Sequence, residues 1–345
     1  MATINTPIEG FFIKSKDNLI FDVKGLTHPV DRIIAFVRYI PLKPVKNGKS
    51  KQISYRKIYP LSERYQFLSQ NYPKYLFNDP QGRGILQAVQ TDDLLQIFNP
   101  ISGLHELLNK KKKKLIPIEN QTVKLVNQIM NHCEISYEEI GISGSLLVKL
   151  HKMKSDIDLI VYGKKSGREI YNSMPKIFDA SSKIKRYTRN ELKMLWQTRV
   201  QTKQIDFNSF LLYERRKHLQ GTIEERDFYI RLVPLPGEFN EPYTETKITT
   251  LGTIEIIATI NDDINSIFTP CLYQLEDVEI INKKNTEEIP PNRIFSLRGR
   301  YCELAKKGER IHVKGKLEKV TIKNQTEFHQ LVLGSTQNEF FKKTQ

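Results

Sequence analysis

Residues 11–60 alternate short apolar runs with turn signals, and the runs FFIKS, NLIFDV, RIIAFVRYI and ISYRKIY are rich in Ile, Val, Phe and Tyr. Such segments predict β-strands. Pro41, Pro44 and Asn47-Gly48 mark a loop among them, and a short helix is expected from about Ser62. Residues 1–103 therefore read as a β-rich N-terminal domain. His28, directly before a proline, is expected to be a loop hydrogen-bonder rather than a catalyst. The five consecutive lysines Lys110–Lys114 suit a solvated domain boundary.

From residue 118 the pattern changes to helix, strand, helix, strand. Val123, Val126 and Met130 lie on one helical face. Glu139 to Ser143 predicts a short strand and SDIDLIVYG a second. Ser166-Gly-Arg-Glu169 and Thr188-Arg-Asn-Glu191 both have the form of a capping box opening a helix. Asp206 is expected to begin a further helix with Arg215, Arg216 and Lys217 in its last turn and Gly221 as its C-cap. RDFYIRLVP predicts a third strand, with Asp227, Tyr229 and Arg231 on one face and Phe228, Ile230 and Leu232 on the other. This segment, residues 104–237, is the expected central domain. Beyond residue 245, TIEIIATI, PCLYQLEDVEII, RIFSLRGRY, ERIHVKGKLEKVTI and FHQLVLG are five strand candidates. Five strands in residues 245–337 suit a small β-barrel, with an OB-like barrel the leading choice. The fold class expected is α+β in three parts.

One stretch stands apart. In GSLLVKLHKMKSDIDLIVYG, Asp156 and Asp158 interrupt an apolar strand. At i and i+2 they point to one face, about 6.6–6.8 Å apart along the strand, and repel each other. Divalent cations between them remove that conflict. Mg²⁺ favours carboxylate oxygens together with substrate phosphates, and a pair of such ions can clamp an in-line phosphoryl displacement. Upstream, Gly144 permits a tight turn and a close backbone approach to a phosphate, and Ser145 adds a hydroxyl donor.

Composition narrows the setting. The 345 residues exceed a single compact domain. The three cysteines, Cys133, Cys271 and Cys302, are far apart in sequence, which argues for a reducing compartment and against a structural zinc site. No apolar run approaches the ~18 residues of a membrane span, and MATINTPIEG lacks the features of a signal peptide, so a cytoplasmic protein with no membrane partner is expected. The net charge of +15 favours a polyanionic partner. Residues 183–217 hold ten Lys or Arg against three Asp or Glu. Lys183, Lys185, Arg186 and Arg189 surround Tyr187, and Arg298 and Arg300 adjoin Tyr301 on an expected barrel strand. Basic side chains interleaved with aromatics suit single-stranded nucleic acid.

Gly-Ser, ten intervening residues and then Asp-x-Asp on a strand resembles the signature of the DNA polymerase beta-type nucleotidyltransferase superfamily, over residues 118–235. The whole chain, with GLTHPVDRIIAFVRY near its front, also resembles a group of archaeal proteins described only as predicted nucleotidyltransferases. The resemblance implies that Gly144 and Ser145 bind the triphosphate of an NTP and that Asp156 and Asp158 bind Mg²⁺ or Mn²⁺. It implies a third carboxylate on a later strand, which ligates a metal ion and helps deprotonate the acceptor. Asp227 is preferred for this over Asp206, which has a ready role as a helix N-cap. Many members carry Arg and then Gly soon after Gly-Ser. Leu146, Leu147 and Lys149 fill that stretch here, leaving Lys149, Lys152 or Lys154 to replace the Arg. The expected activity is transfer of a nucleoside monophosphate from NTP to an acceptor hydroxyl, with RNA the acceptor suggested by charge. The rivals are an inactive nucleic-acid-binding protein of the same fold and a sugar-nucleotide glycosyltransferase using Asp-x-Asp.

Overall fold

The N-terminal strand candidates assemble as expected. The computed structural model describes residues 4, 6–42, 53–199, 204–284, 289–323, 327–334 and 338–344. Pro44 and Asn47-Gly48 of the expected loop lie outside them. The first sheet contains β1 (Phe12–Ser15), β2 (Ile20–Val23), β3 (Arg32–Pro41), β4 (Tyr55–Lys57), β5 (Leu76–Asp79), β6 (Gly84–Gln90) and β7 (Leu94–Phe98). Its order is β5-β6-β3-β2-β1-β7, with β4 paired to β3, and every pairing is antiparallel. Helix α1 (Leu61–Asn71) follows β4. Ile33, Ala35 and Val37 face a core with Phe21, Val23 and Leu68. The register between β2 and β3 then slips: Phe21 pairs with Val37 but Ile20 with Tyr39, leaving Arg38 as an extra residue. Such a bulge re-aims the side chains around it. Tyr39 turns towards the core of the second sheet, while Ile40 returns to the first. His28 is held as a loop hydrogen-bonder. Its Nδ1 accepts from the Ile34 N–H at 3.2 Å, so its Nε2–H donates to Pro7 O at 2.8 Å.

The central part contains α2 (Pro100–Leu108), α3 (Pro117–His132), β8 (Ile140–Ile142), α4 (Gly144–Leu147), β9 (Ile157–Tyr162), α5 (Lys164–Ala180), β10 (Ile184–Lys185), α6 (Arg189–Thr198), α7 (Phe207–Glu214), β11 (Gln220–Ile223) and β12 (Arg226–Val233). The sheet order is β10-β11-β12-β9-β8, with β9 and β12 parallel and the rest antiparallel. Strand β9 is apolar because both its faces are covered. Ile157, Leu159 and Val161 pack with Ile129, Ile170 and Ile177 of the helices, whereas Ile160 and Tyr162 join the core of the first sheet.

Several local expectations need correction. The boundary expected between residues 103 and 104 falls inside α2. Asn99 caps that helix by accepting from Ile101 and Ser102 N–H, and Leu104 and Leu107 bury against the second sheet. Helix α5 starts at Lys164 and not at a Ser166 capping box. Gly163, at φ +95°, turns the chain straight from β9 into the helix, and buried Ser166 donates to Glu139 Oε1 at 2.7 Å. Helix α7 ends at Glu214, so Arg215, Arg216 and Lys217 follow its last turn, and Gly221 belongs to β11 instead of a C-cap. The Thr188–Glu191 capping box forms, and Asp206 caps α7 by accepting from Ser209 N–H at 3.0 Å.

The C-terminal part contains β13 (Thr246–Asp262), β14 (Cys271–Lys284), β15 (Arg293–Ser296), β16 (Arg310–Ile322), β17 (Glu327–Leu333) and β18 (Phe340–Lys343). The five strand candidates become β13 to β17, and β18 adds to β16. Pairings run β13-β14-β15-β17-β16 and return from β16 to β13, a closed circuit in which only β15–β17 is parallel. Ile254, Ile256, Tyr273, Ile311 and Leu331 fill its interior. Arg298 and Arg300 are not on a strand: β15 stops at Ser296, and the chain turns through Gly299–Tyr301. The three parts are stitched together. Ile248 N–H donates to Gln81 O at 2.7 Å, Thr269 N–H to Leu232 O at 2.8 Å, and Arg216 pairs with Glu309 at 2.7 Å. Among the described residues no helix is long and apolar enough to cross a membrane.

Candidate functional site

Asp156 ends the turn before β9, and Asp158 is the second residue of that strand, in register with Tyr229 of β12. No hydrogen bond or salt bridge among the described residues reaches either carboxylate. Burial, and then the neighbouring charge of Asp156, push the Asp158 carboxyl up to about 6, against the opposing pull of Arg231 and Lys57. Asp158 therefore meets Arg231 and Lys57 only as nearby charges, without a hydrogen bond or ion pair among the described residues.

Gly144 faces this pair. Its φ of +58° is left-handed, and a Cβ built there would sit 2.9 Å from Asp158 Cγ and closer still to the carboxylate oxygen. Only glycine lets the turn pass so near the strand. The turn is pinned on both sides: Ser143 N–H donates to Asp158 O at 2.8 Å, and Ser143 Oγ donates to Gly10 O at 2.7 Å. Ser145 follows in the single turn of α4, beside the same cavity.

That cavity holds about 160 Å³ and lies between the second sheet and the N-terminal part. Gly144, Ser145, Asp156 and Asp158 line one side; Glu9, Asp22, Arg38 and Lys57 line the other. The bulge in β3 carries Arg38 to this wall, with its guanidinium 4.8 Å from the Tyr59 ring. Lys57 Nζ lies 4.7 Å from the same ring. Below them is a buried ion group. Glu9 Oε1 accepts from Arg231 at 2.7 Å and from Lys24 at 3.0 Å, and Lys24 also pairs with Asp22 at 2.9 Å. Burial works against charge on Arg231, but Glu9, Tyr229, Asp22 and Asp158 more than offset it and hold its pKa above the usual value. Glu9→Ala would leave Arg231 and Lys24 short of their main counterion. Breaking a buried ion group in this way costs about 3–5 kcal/mol, so a fall of that size in unfolding free energy is expected in urea titrations.

The remaining sequence candidates are placed differently. Lys154 is exposed on the turn before β9, outside the cavity lining. Asp227 precedes the Phe228–Ile157 pair and so lies in the row of Asp156, also outside the lining. Desolvation raises its pKa, a hydrogen bond from the Tyr187 hydroxyl opposes this, and the charge of Asp156 adds to the rise. Asp206 spends both oxygens on Ser209. Among the described residues no three His, Cys, Asp or Glu side chains converge closely enough to hold a metal ion. Lys183, Lys185 and Arg189 are exposed, Lys183 lying 3.4 Å from Glu224. Arg186 covers the Phe178 ring at 4.5 Å, and Arg298 and Arg300 are half-buried between the parts.

Sequence reasoning missed Asp22, Arg38, Lys57 and Glu9, and assigned Arg231 only to a face. The signal was available for three of these. Asp22 in NLIFDV, Arg38 in RIIAFVRYI and Arg231 in RDFYIRLVP are charges inside apolar strands, the feature that singled out Asp156 and Asp158.

Asp156 and Asp158, without a hydrogen bond or ion pair among the described residues, are the two carboxylates that could hold a hard divalent cation, and Arg38 and Lys57 line the far wall of their cavity. In comparisons with known proteins, the chain is 27% identical over 336 residues to a protein of Methanocaldococcus jannaschii described only as uncharacterized, covering 95% of this chain and 96% of that one. No protein-family model matches the chain, and no solved structure matches it.

Proposed function

We propose that the protein is a metal-dependent nucleotidyltransferase that moves a nucleoside monophosphate from an NTP to an acceptor hydroxyl, with RNA the acceptor. The observation that carries this reading is the unpartnered Asp156–Asp158 pair set against the Gly144-Ser145 turn, with Arg38 and Lys57 across the cavity. Asp156 and Asp158 would hold Mg²⁺ or Mn²⁺, which supplies charge neutralisation of the phosphates when bound. Gly144 lets the backbone approach the triphosphate, and Ser145 offers its hydroxyl as a donor. Lys57 and Arg38 are placed to attract its remaining charge. Asp227, next to Asp156 and with a raised pKa, is the group assigned to accept the proton of the attacking hydroxyl. We read the closed strand circuit, with its single parallel pair, as an OB-like barrel that holds nucleic acid beside the core.

One observation favours the alternative, an inactive nucleic-acid-binding protein: Asp227 does not converge with the other two carboxylates. A transfer assay separates the two. The protein is incubated with each α-labelled NTP, Mg²⁺ or Mn²⁺, and total RNA from its source. Label entering RNA with one NTP in preference to the others is expected. Salt-sensitive RNA binding with neither NTP binding nor label transfer would establish the inactive alternative.

A further inference from the structure

A second and larger cavity, about 480 Å³, opens between the first sheet and the C-terminal strand circuit. Four of its rings come from three parts of the chain: Phe36 and Tyr65 from the N-terminal part, Phe239 from the linker and Phe295 from β15. Phe36 and Tyr65 meet edge-on with centroids 6.2 Å apart.

The charges on this cavity do not balance. Lys24 is paired with Glu9 and Asp22, Arg83 with Asp79, Lys316 with Glu318, and Glu241 with Arg293. Two cations remain. Arg64 is only 6% exposed and, among the described residues, makes one side-chain hydrogen bond, to Tyr59 O at 3.3 Å, and leaves its Nε buried without a partner. The Arg298 guanidinium is half-buried and has no hydrogen bond or salt bridge among the described residues. Burial lowers the pKa of both. At Arg64 burial, then the charge of Arg38 and lastly that of Arg298 bring it to about 10 against the pull of Asp22, and at Arg298 burial and Arg300 outweigh the pull of Glu9 and Asp22. Buried cations lacking counterions are costly. A ring-lined cavity that gathers two of them calls for an anion attached to a flat apolar body.

The position of this cavity says which one. Lys24 lines it, and the partners of Lys24, Glu9 and Asp22, line the carboxylate cavity. One layer of side chains separates the two spaces. We propose that the second cavity binds a nucleotide unit, with its base among Phe36, Tyr65, Phe239 and Phe295 and its phosphate on Arg64 and Arg298. Calling that unit part of the acceptor rests on the function proposed above; the binding itself does not. The volume lies within the ~300–1,000 Å³ of small-ligand pockets, and aromatic faces stack with any base.

Calorimetric titration of the full chain with AMP, in EDTA so that no metal is held at the carboxylates, tests this. Ribose 5-phosphate and octanoate serve as probes without a base and with an acyl chain. Arg298→Gln and Phe295→Ala are the main variants, because Arg64 is buried deeply enough that its loss could unfold the chain. Binding of AMP is expected, weakened at least about tenfold by either variant and unchanged by Asp156→Asn/Asp158→Asn. Ribose 5-phosphate should bind at least about tenfold more weakly than AMP. The proposal is overturned by tighter binding of octanoate than of AMP, or by no AMP binding up to about 1 mM. It is also overturned if binding survives Arg298→Gln but is lost with the two aspartates. Loss of label transfer and of metal-dependent NTP binding, with AMP binding in EDTA intact, would sink the catalytic reading and leave this site standing.

Discussion

Asp158→Asn is expected to abolish nucleotidyl transfer while making the metal-free protein more stable at pH 8. Transfer should fall by at least about 10³-fold, because a neutral amide neither holds the cation nor neutralises its charge. The stability effect follows from the raised carboxyl. Asp158 has a pKa of about 6 in the folded chain against 3.8 as its ordinary value. Between these values the folded state binds more protons than the unfolded state, so stability falls as pH rises through this window. The contribution is harmless below about pH 4, and its cost is complete above about pH 6. Since the cavity is open to solvent, the cost is about 1–2 kcal/mol rather than the full value of the shift. Melting curves from pH 4 to pH 8 should therefore fall less steeply for Asp158→Asn than for the parent chain. Added Mg²⁺ should raise the melting temperature of the parent at pH 8 by binding the folded state, and leave the variant unmoved. Retained transfer in Asp158→Asn would remove the proposed mechanism; an unaltered pH slope would show that Asp158 is not the strained charge.

The same carboxylates explain why part of the site was legible in the sequence. Charges in an apolar run are costly to bury, so Asp156 and Asp158 stood out as candidate site residues in the sequence, although the structure leaves Asp156 exposed just before β9. The requirement for Gly144 was legible as well, because a Gly-Ser turn must pass close to something. The opposite wall was harder. Arg38 reaches the cavity through a bulge, and strict alternation along RIIAFVRYI gives no hint of the slipped register. Lys57 sits on a strand of three residues, where its neighbour β3 and not its own sequence decides its direction. Glu9 lies in a loop whose meaning depends on Arg231, 222 residues away. These are tertiary facts that local pattern does not encode.

The fold shows the same division. Strands with β-branched and aromatic runs formed where expected, as did the Thr188–Glu191 box and the Asp206 cap. The failures came where a neighbour overrode a local signal. Ser166 looked like a cap, but Gly163 had already turned the chain and Glu139 took the Ser166 hydroxyl. The lysine run at 110–114 looked like a boundary. Yet α2 before it packs on the second sheet, and Lys110 pairs with Glu119 of α3 at 2.5 Å. The N-terminal part, whose strand charges Asp22 and Arg38 received no role from the sequence, lines the cavity opposite the carboxylates.

Gly144→Ala tests the geometry of the site most directly, and a double-mutant cycle makes the test specific. Two separate penalties meet at this position. The left-handed φ of +58° costs an alanine about 1–2 kcal/mol wherever it occurs. The new Cβ would also press on Asp158, with Cγ at 2.9 Å, and force the carboxylate aside. Displacing a catalytic group by about 1 Å is enough to cost about 10²-fold in rate, so Gly144→Ala should lose transfer by at least that factor. In stability the two penalties can be told apart. Asp158→Ala removes the obstructing carboxylate and leaves the backbone strain. Gly144→Ala should therefore cost about 2–4 kcal/mol in the parent chain but only about 1–2 kcal/mol in the Asp158→Ala background, a coupling of about 1 kcal/mol or more. Urea unfolding of the four proteins measures it. Equal costs in both backgrounds would mean that glycine serves the backbone angle alone, and that the closeness of the Gly-Ser turn to the aspartate does not constrain the site. A clear coupling would tie the two halves of the motif together energetically, as a turn built to lie directly over the charge that it helps to position.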